Sequence, residues 1–320
     1  MSRYARQMIL PEVGSAGQTR LSAARVLVVG AGGLASPVLP LLAGAGVGHI
    51  TILDRDQIAL SNLHRQTLFA ESDCKRAKAK VAAERCRALN GDITVVAENK
   101  ALTSENVLNF VRSSDIVLDC ADSYAASYIL SDTCLLQGKP LISASVMGLT
   151  GYLGGFCAGA PSLRAVFPDA PDSGASCATA GVLGPVVGVI GALQAQMALG
   201  VILGLDPSPL GQLVQFDART LRNSTFRFDG APEPAHHFRF LSASQLTEDD
   251  VIIELRTRDE APEPLHSRAR RDIVESLKTE PNKGKRLALC CSSGLRAWRA
   301  AEQIQSDWSG EIVLVAASTT

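Results

Sequence analysis

Residues Val26–Ser36 read VLVVGAGGLAS: a short apolar run, a glycine-rich turn, then the start of a helix. A short apolar strand bounded by glycine suits a parallel sheet covered on both faces. Gly30-Ala-Gly32-Gly33-Leu-Ala35 fits the G-x-G-x-x-G/A pattern of a phosphate-cradling loop. In it Gly30 permits the tight turn, Gly32 lets the backbone approach phosphate, and Ala35 lets the helix pack closely. Asp54 closes the next strand, where an acid can bind ribose hydroxyls. These residues alone suit NAD as well as ATP.

Outward from the loop, strands read at Arg25–Val29, His49–Leu53, Thr94–Ala97, Ile116–Asp119 and Pro140–Ser143. Helices read at Pro37–Ala45, Lys78–Leu89, Thr103–Arg112 (capped by Thr103 or Ser104) and Ala125–Gln137. This alternation predicts a doubly wound, Rossmann-like α/β fold: a mostly parallel sheet with helices on both faces. The predicted nucleotide domain spans 1–228. Residues 229–239, rich in Pro, Gly and charge, read as a linker. Residues 240–320 read as a small α/β unit, near the lower size limit for folding alone.

The chain is 46% hydrophobic and 20% charged with a formal net charge of -1, which predicts a folded core and disfavours a nucleic-acid partner. Met1-Ser-Arg-Tyr-Ala-Arg begins polar and basic with no apolar stretch behind it, so no secretory leader is expected. Eight scattered cysteines predict free thiols in a reducing cytoplasm. Val182–Leu205 carries no charge over a membrane-spanning length, but Gln194, Gln196, Pro185 and its glycines favour a buried core or interface helix over a membrane span.

Beyond Asp54 lie Asn62, Arg65 and Lys78. A dinucleotide needs no such cluster. Cleavage of ATP does, because fixed cations stabilise charge that develops on the leaving pyrophosphate. Lys78 could equally be one solvated lysine in a basic run. Asp119 and Asp122 sit at the end of the fourth strand, where a carboxylate can hold Mg²⁺ or merely cap the next helix.

Together these pieces resemble the ThiF/MoeB/HesA family, the ubiquitin-activating-enzyme-like adenylyltransferases of sulfur-carrier proteins. The matching parts are Arg3-Tyr-x-Arg6-Gln7, Gly30-x-Gly-Gly-Leu, Leu53-Asp-x-Asp56, Ser61-Asn-Leu-x-Arg65-Gln66, Lys78, Asp119-Cys-x-Asp122 and the run from Cys177 to Gly191. The resemblance implies that Asp54 holds the ribose, with Asp56, Asn62 and Gln66 in the nucleotide site. It implies that Arg65 and Lys78 grip the phosphates, that Asp122 coordinates Mg²⁺, and that Arg6 reaches into the other subunit of a homodimer. The implied reaction is attack of a carrier's C-terminal Gly-Gly carboxylate on ATP, giving an acyl-adenylate and pyrophosphate. No catalytic histidine is expected.

Four departures stand out. Ala35 replaces a glycine, Lys75 a frequent glycine, and Ser123 the asparagine of an Asp-Asn pair. Where many members pair cysteines on a structural zinc, this chain has Ser162 and Ala165, and no cysteine near Gly230–His237, so no zinc is expected. Cys177 matches a cysteine that some members use to take the activated carrier covalently. Cys291, Gly294 and Arg296 resemble a rhodanese active loop, which implies sulfur transfer from a persulfide donor such as a cysteine desulfurase. The rest of that unit departs from rhodanese. Two alternatives stay open: a divergent homologue acting on a non-protein carboxylate or a tRNA base, and an NAD(P)-linked oxidoreductase.

Overall fold

The computed structural model describes residues 3–169, 181–273, 276 and 284–319. Its larger sheet has eight strands: β1 Arg25–Val29, β2 His49–Leu53, β3 Thr94–Glu98, β4 Ile116–Asp119, β5 Leu141–Met147, β6 Thr150–Phe156, β7 Gln212–Asp217 and β8 Arg222–Arg227. Their order is β3-β2-β1-β4-β5-β6-β7-β8. The first five run parallel and the remainder antiparallel. Helices α1 Ala5–Met8, α2 Gly14–Ala23, α3 Ala35–Ala45, α4 Lys78–Leu89, α5 Val107–Arg112, α6 Tyr124–Gln137, α7 Leu163–Val166 and α8 Gly184–Leu203 accompany it. Alternate residues of β1 enter opposite apolar layers: Val26 and Val28 pack with α3, α4 and α8, while Leu27 and Val29 pack with α5 and α6. Both faces are covered, which is why the strand carries no polar residue after Arg25.

Some boundaries differ from the sequence reading for identifiable reasons. Regular helix α5 starts at Val107, after a capping turn in which Asn106 N–H donates to Thr103 Oγ1 (3.2 Å) and Thr103 N–H to Asn106 Oδ1 (2.9 Å), so Thr103 serves as the cap. Ser104 does not cap it; its hydroxyl donates to Gln245 Oε1 and accepts from Ser242 N–H, both in the C-terminal unit. Strand β5 continues past Ser143 and returns as β6 through Gly148, at φ +60°. The β7–β8 hairpin was not anticipated from the sequence.

Helix α8 is long and apolar enough to cross a membrane by length and composition. Here it lies on α3, β5 and β6. Gln194 is buried at its centre and donates to the carbonyls of Asp119 (2.7 Å) and Ile142 (3.0 Å). A side chain otherwise costly in an apolar helix thus joins the ends of two strands.

The smaller sheet contains β9 Arg239–Phe240, β10 Val251–Glu254, β11 Arg270–Arg271, β12 Leu287–Cys291 and β13 Ile312–Ala316, in the order β11-β10-β12-β13-β9, all parallel. Helix α9, Leu295–Ile304, covers it. Its apolar layer is continuous with that around α6. Trp298 meets Tyr128 edge-on (4.6 Å between centroids), and the Arg164 guanidinium lies over both rings. The 229–239 stretch is pinned at its middle and its C-terminal end rather than hanging free. Glu233 accepts from Ser162 N–H (2.7 Å) and Oγ (2.6 Å), the Phe238 carbonyl accepts from Arg164 Nη2, and Arg239 already belongs to β9. Hydrogen bonds therefore join the two segments where the resemblance would set paired cysteines. A hydroxyl, a methyl and one carboxylate do not make a tetrahedral zinc site.

Lys75 explains one departure. Its φ is +69°, so a left-handed residue is required just before α4. An L side chain there costs about 1–2 kcal/mol, partly offset by the entropy that glycine loses on folding. Lys75→Gly is expected to stabilise the fold by roughly 0.5–1 kcal/mol, read as a higher urea midpoint at constant slope. A lower midpoint would contradict this.

Candidate functional site

Strand order reverses between β1 and β4, and ligands bind at such a switch point, outside the carboxyl ends of the strands. A cleft of about 1120 Å³ opens there. The glycine loop forms one wall. Gly30 sits at φ +91°, and a Cβ on it would lie 2.6 Å from the Cys120 carbonyl oxygen. Gly33 is packed against Val187 of α8, where a Cβ would approach to 2.8 Å. Gly32 differs. A Cβ there would meet only Gln66 Nε2, at 3.6 Å, so its glycine leaves room on the cleft side. Gln66 Oε1 is buried with no hydrogen-bond partner among the described residues. Open backbone beside an unused polar atom fits a ligand that approaches the main chain closely. Ala35 is fully buried at the first turn of α3, consistent with close helix packing.

Asp54 is chelated by the loop. Its carboxylate accepts from the N–H groups of Ala31 (2.7 Å) and Asp56 (2.7 Å). Burial pushes its carboxyl up, while these bonds and Lys78 pull it back. Lys78, at the first position of α4, is only 7% exposed. Its Nζ lies 2.9 Å from Asp56, whose side chain is 59% exposed. A cation is thus buried on one side and bonded to a carboxylate that faces the cleft. Arg65 also lines the cleft, with Nη1 2.7 Å from His64 Nε2. Asp122 is exposed on the opposite wall, after β4.

Asp119 lies below that wall, fully buried. Burial pushes its carboxyl from 3.8 up to about 6, against hydrogen bonds from Ser143 Oγ (2.8 Å) and Ala121 N–H (3.2 Å). A folded pKa raised above the unfolded one adds stability below the unfolded value, and that stability is lost as pH rises through the folded value. This group is expected to cost the fold about 3 kcal/mol between about pH 4 and pH 6, since each tenfold difference in proton affinity between the folded and unfolded chain is worth about 1.4 kcal/mol. Asp119→Asn should remove that fall in urea titrations across the same window. Parallel curves for the two proteins would reject the assignment.

Other expected residues lie elsewhere. Asn62 does not line the cleft; its carbonyl accepts from the N–H groups of Arg65 and Gln66 and so shapes the turn that presents them. Arg6 is exposed on α1, away from the cleft lining of its own chain. Cys177 lies outside the described residues. Cys291 is 1% exposed, and its Sγ accepts from the N–H groups of Gly294 (3.1 Å) and Ala297 (3.4 Å), a helix-start cradle for sulfur. Burial pushes the adjacent Cys290 thiol up to about 12. Among the described residues no group of three or more His, Cys, Asp or Glu could hold a metal ion.

Sequence reasoning missed the far half of the cleft. Tyr124, Tyr128, Tyr152 and Phe167 form an apolar floor there, bordered by Asp217 and Arg222 of the β7–β8 hairpin. The turn residues Asp217 to Thr220 after the short, partly apolar run QLVQF are the signal that could have exposed that hairpin.

Known proteins resemble this chain in sequence and in fold. The adenylyltransferase and sulfurtransferase MOCS3 of Bos taurus is 46% identical over 219 residues, 68% of this chain and 48% of that protein. The sulfur carrier protein adenylyltransferase of Thermus thermophilus is 43% identical over 226 residues, 68% of this chain and 83% of that one. The chain spans about half the length of the MOCS3 proteins it matches. The crystal structure of E. coli MccB with ATP has a TM-score of 0.64 at 22% identity, covering 73% of this chain and 74% of that one, a likeness of fold. The ThiF family model matches residues 4–236, which hold every cleft-lining residue named above, and on that match the chain belongs to the ThiF family.

Proposed function

We propose that the chain adenylylates the C-terminal Gly-Gly carboxylate of a small ubiquitin-like sulfur-carrier protein, using ATP. The observation that carries this is the buried Lys78 bonded to Asp56, lining the same cleft as Gly32, where an added Cβ would meet only the end of Gln66. A nicotinamide dinucleotide gives that pair nothing to do. A carboxylate oxygen of the carrier attacks the α-phosphorus, and the bond to the leaving pyrophosphate breaks. The attacking group is already ionised, so no general base is needed; positioning and neutralised charge lower the barrier. The loop of Gly30, Gly32 and Gly33 cradles phosphate, Asp54 holds the ribose, and Arg65 and Lys78 meet charge on the phosphates. Asp122 would hold Mg²⁺, which would neutralise charge on the phosphates. The cleft exceeds what a nucleotide fills, and its aromatic floor suits an extended carrier tail.

The names of the relatives support sulfur transfer as the following step. Cys291 is the candidate persulfide, with Cys177 as a second thiol. In the docked position Cys291 is covered: a Cβ on Gly294 of its loop would touch Phe240 and approach Ala125 of α6. Loading sulfur from a donor such as a cysteine desulfurase therefore requires that loop to leave α6. The exposed apolar residues Ile9, Leu10, Leu41, Leu183 and Val189 support a homodimer in which Arg6 serves the partner's cleft. The free thiols of the described cysteines suit a reducing cytoplasm.

The test is exchange of labelled pyrophosphate into ATP. Exchange should depend on a carrier ending in Gly-Gly and fall roughly 100-fold or more in Asp122→Ala. Exchange without a carrier, or none with any Gly-Gly protein, would defeat the reading.

A further inference from the structure

The C-terminal unit touches the nucleotide end of the cleft. Strand β13 ends at Ala316 and continues into a single 3-10 turn, Ala317–Thr319. Ser318 of that turn lines the cleft. Its Oγ lies 2.9 Å from Ser123 Oγ, and Ser123 directly follows Asp122. The Ala317 carbonyl accepts from Arg55 Nη2 (3.4 Å), and Arg55 directly follows Asp54. The Ser318 N–H donates to the Ser292 carbonyl (3.1 Å), next to Cys291, so the turn is itself anchored. A short turn from the small sheet thus braces the two loops that carry the acids assigned to ribose and Mg²⁺.

A second observation shows that this contact has a local cost. Ser123 is the N-cap residue of α6, a position where a serine hydroxyl ordinarily accepts from the helix's first N–H groups. It makes no such bond here. Its hydroxyl is turned to Ser318 instead. The Ser123 side-chain orientation that meets Ser318 leaves the first N–H groups of α6 without its cap, and this is the orientation the structure shows.

We propose that Ser318 is a positioning residue of the nucleotide site. Through Ser123 it sets the turn that carries Asp122, so the C-terminal unit is a working wall of the ATP cleft. This role rests on ATP being the ligand of the cleft. It also assigns a task to the Ser123 departure: a serine there couples the two units. Without the Ser318 hydroxyl, Ser123 is released to cap α6. Helix stability is then kept while the turn shifts. A purely structural role predicts the reverse, a loss of stability with unchanged nucleotide affinity.

The experiment is calorimetric titration of Mg-ATP into the full chain, with thermal unfolding measured alongside. Ser318→Ala should weaken ATP binding about 3- to 10-fold, the range set by one hydrogen bond, with a midpoint within about 2 °C of wild type. Ser318→Thr, which keeps the hydroxyl, should restore affinity to within about two-fold. Ser123→Ala should weaken binding to a similar extent. The double variant should be no weaker than either single one, because the two hydroxyls act as one pair. Equal affinity in Ser318→Ala, additive losses in the double variant, or a Thr variant no better than Ala would each overturn the proposal. A wild-type chain that fails to bind ATP would bring down the nucleotide reading itself; one that binds as tightly as Ser318→Ala brings down only the role of Ser318.

Discussion

Gly30→Ala is expected to destabilise the fold strongly, and Gly32→Ala to keep its stability and lose the nucleotide. The two residues look alike in the sequence and differ in what surrounds them. At Gly30 an added Cβ meets a backbone oxygen at 2.6 Å, in a left-handed conformation at φ +91°. Neither strain relaxes easily, since the opposing atom is the Cys120 carbonyl in the turn after β4. Together they cost roughly 2–6 kcal/mol, a large part of a typical domain's stability. At Gly32 the added methyl meets only the end of a glutamine side chain at 3.6 Å. It occupies cleft space where phosphate would touch the main chain. Circular dichroism and ATP titration separate the outcomes: a folded Gly32→Ala that binds ATP as wild type does would remove the loop from the nucleotide site.

Lys78→Met is expected to reduce carrier-dependent pyrophosphate exchange by roughly 100- to 1000-fold while leaving the chain folded. Methionine keeps most of the apolar stem that α4 buries and removes the charge. Its partner Asp56 is 59% exposed, so the carboxylate left behind is solvated by water and costs little. The loss should appear in kcat more than in binding of free ATP, because the charge on pyrophosphate grows in the transition state. A variant retaining more than about a tenth of the wild-type rate would show that Lys78 is a structural ion-pair partner and no more.

The parallel half of the larger sheet was legible for a local reason. Its central strands are buried on both faces, so β1 and β4 read as apolar runs bounded by a single charged residue, and the helices between them carry their own boundaries. The glycine loop, Asp54, Lys78 and Asp122 were legible because a strand–turn–helix unit places them by short-range geometry. The half beyond β5 was not. Its hairpins pair residues whose pattern is interrupted by Gly148, Gly151, Gly154 and Gly155, and glycines carry no alternation to read.

Fold class, the glycine loop after β1 and the charged residues near it are all written in the order of the amino acids, since each follows from neighbours within a few positions. What those residues do to one another is a matter of the folded molecule. Gln194, marked in the sequence only as a polar residue in an apolar helix, ties the ends of β4 and β5. Gly30 and Gly32 acquire opposite tolerances from atoms on other elements. Ser123 turns from its own helix to Ser318, 195 positions away. Hydrogen bonds and close contacts act over about 3 Å in space and carry no mark along the chain, so the folded molecule alone shows which distant residues they join.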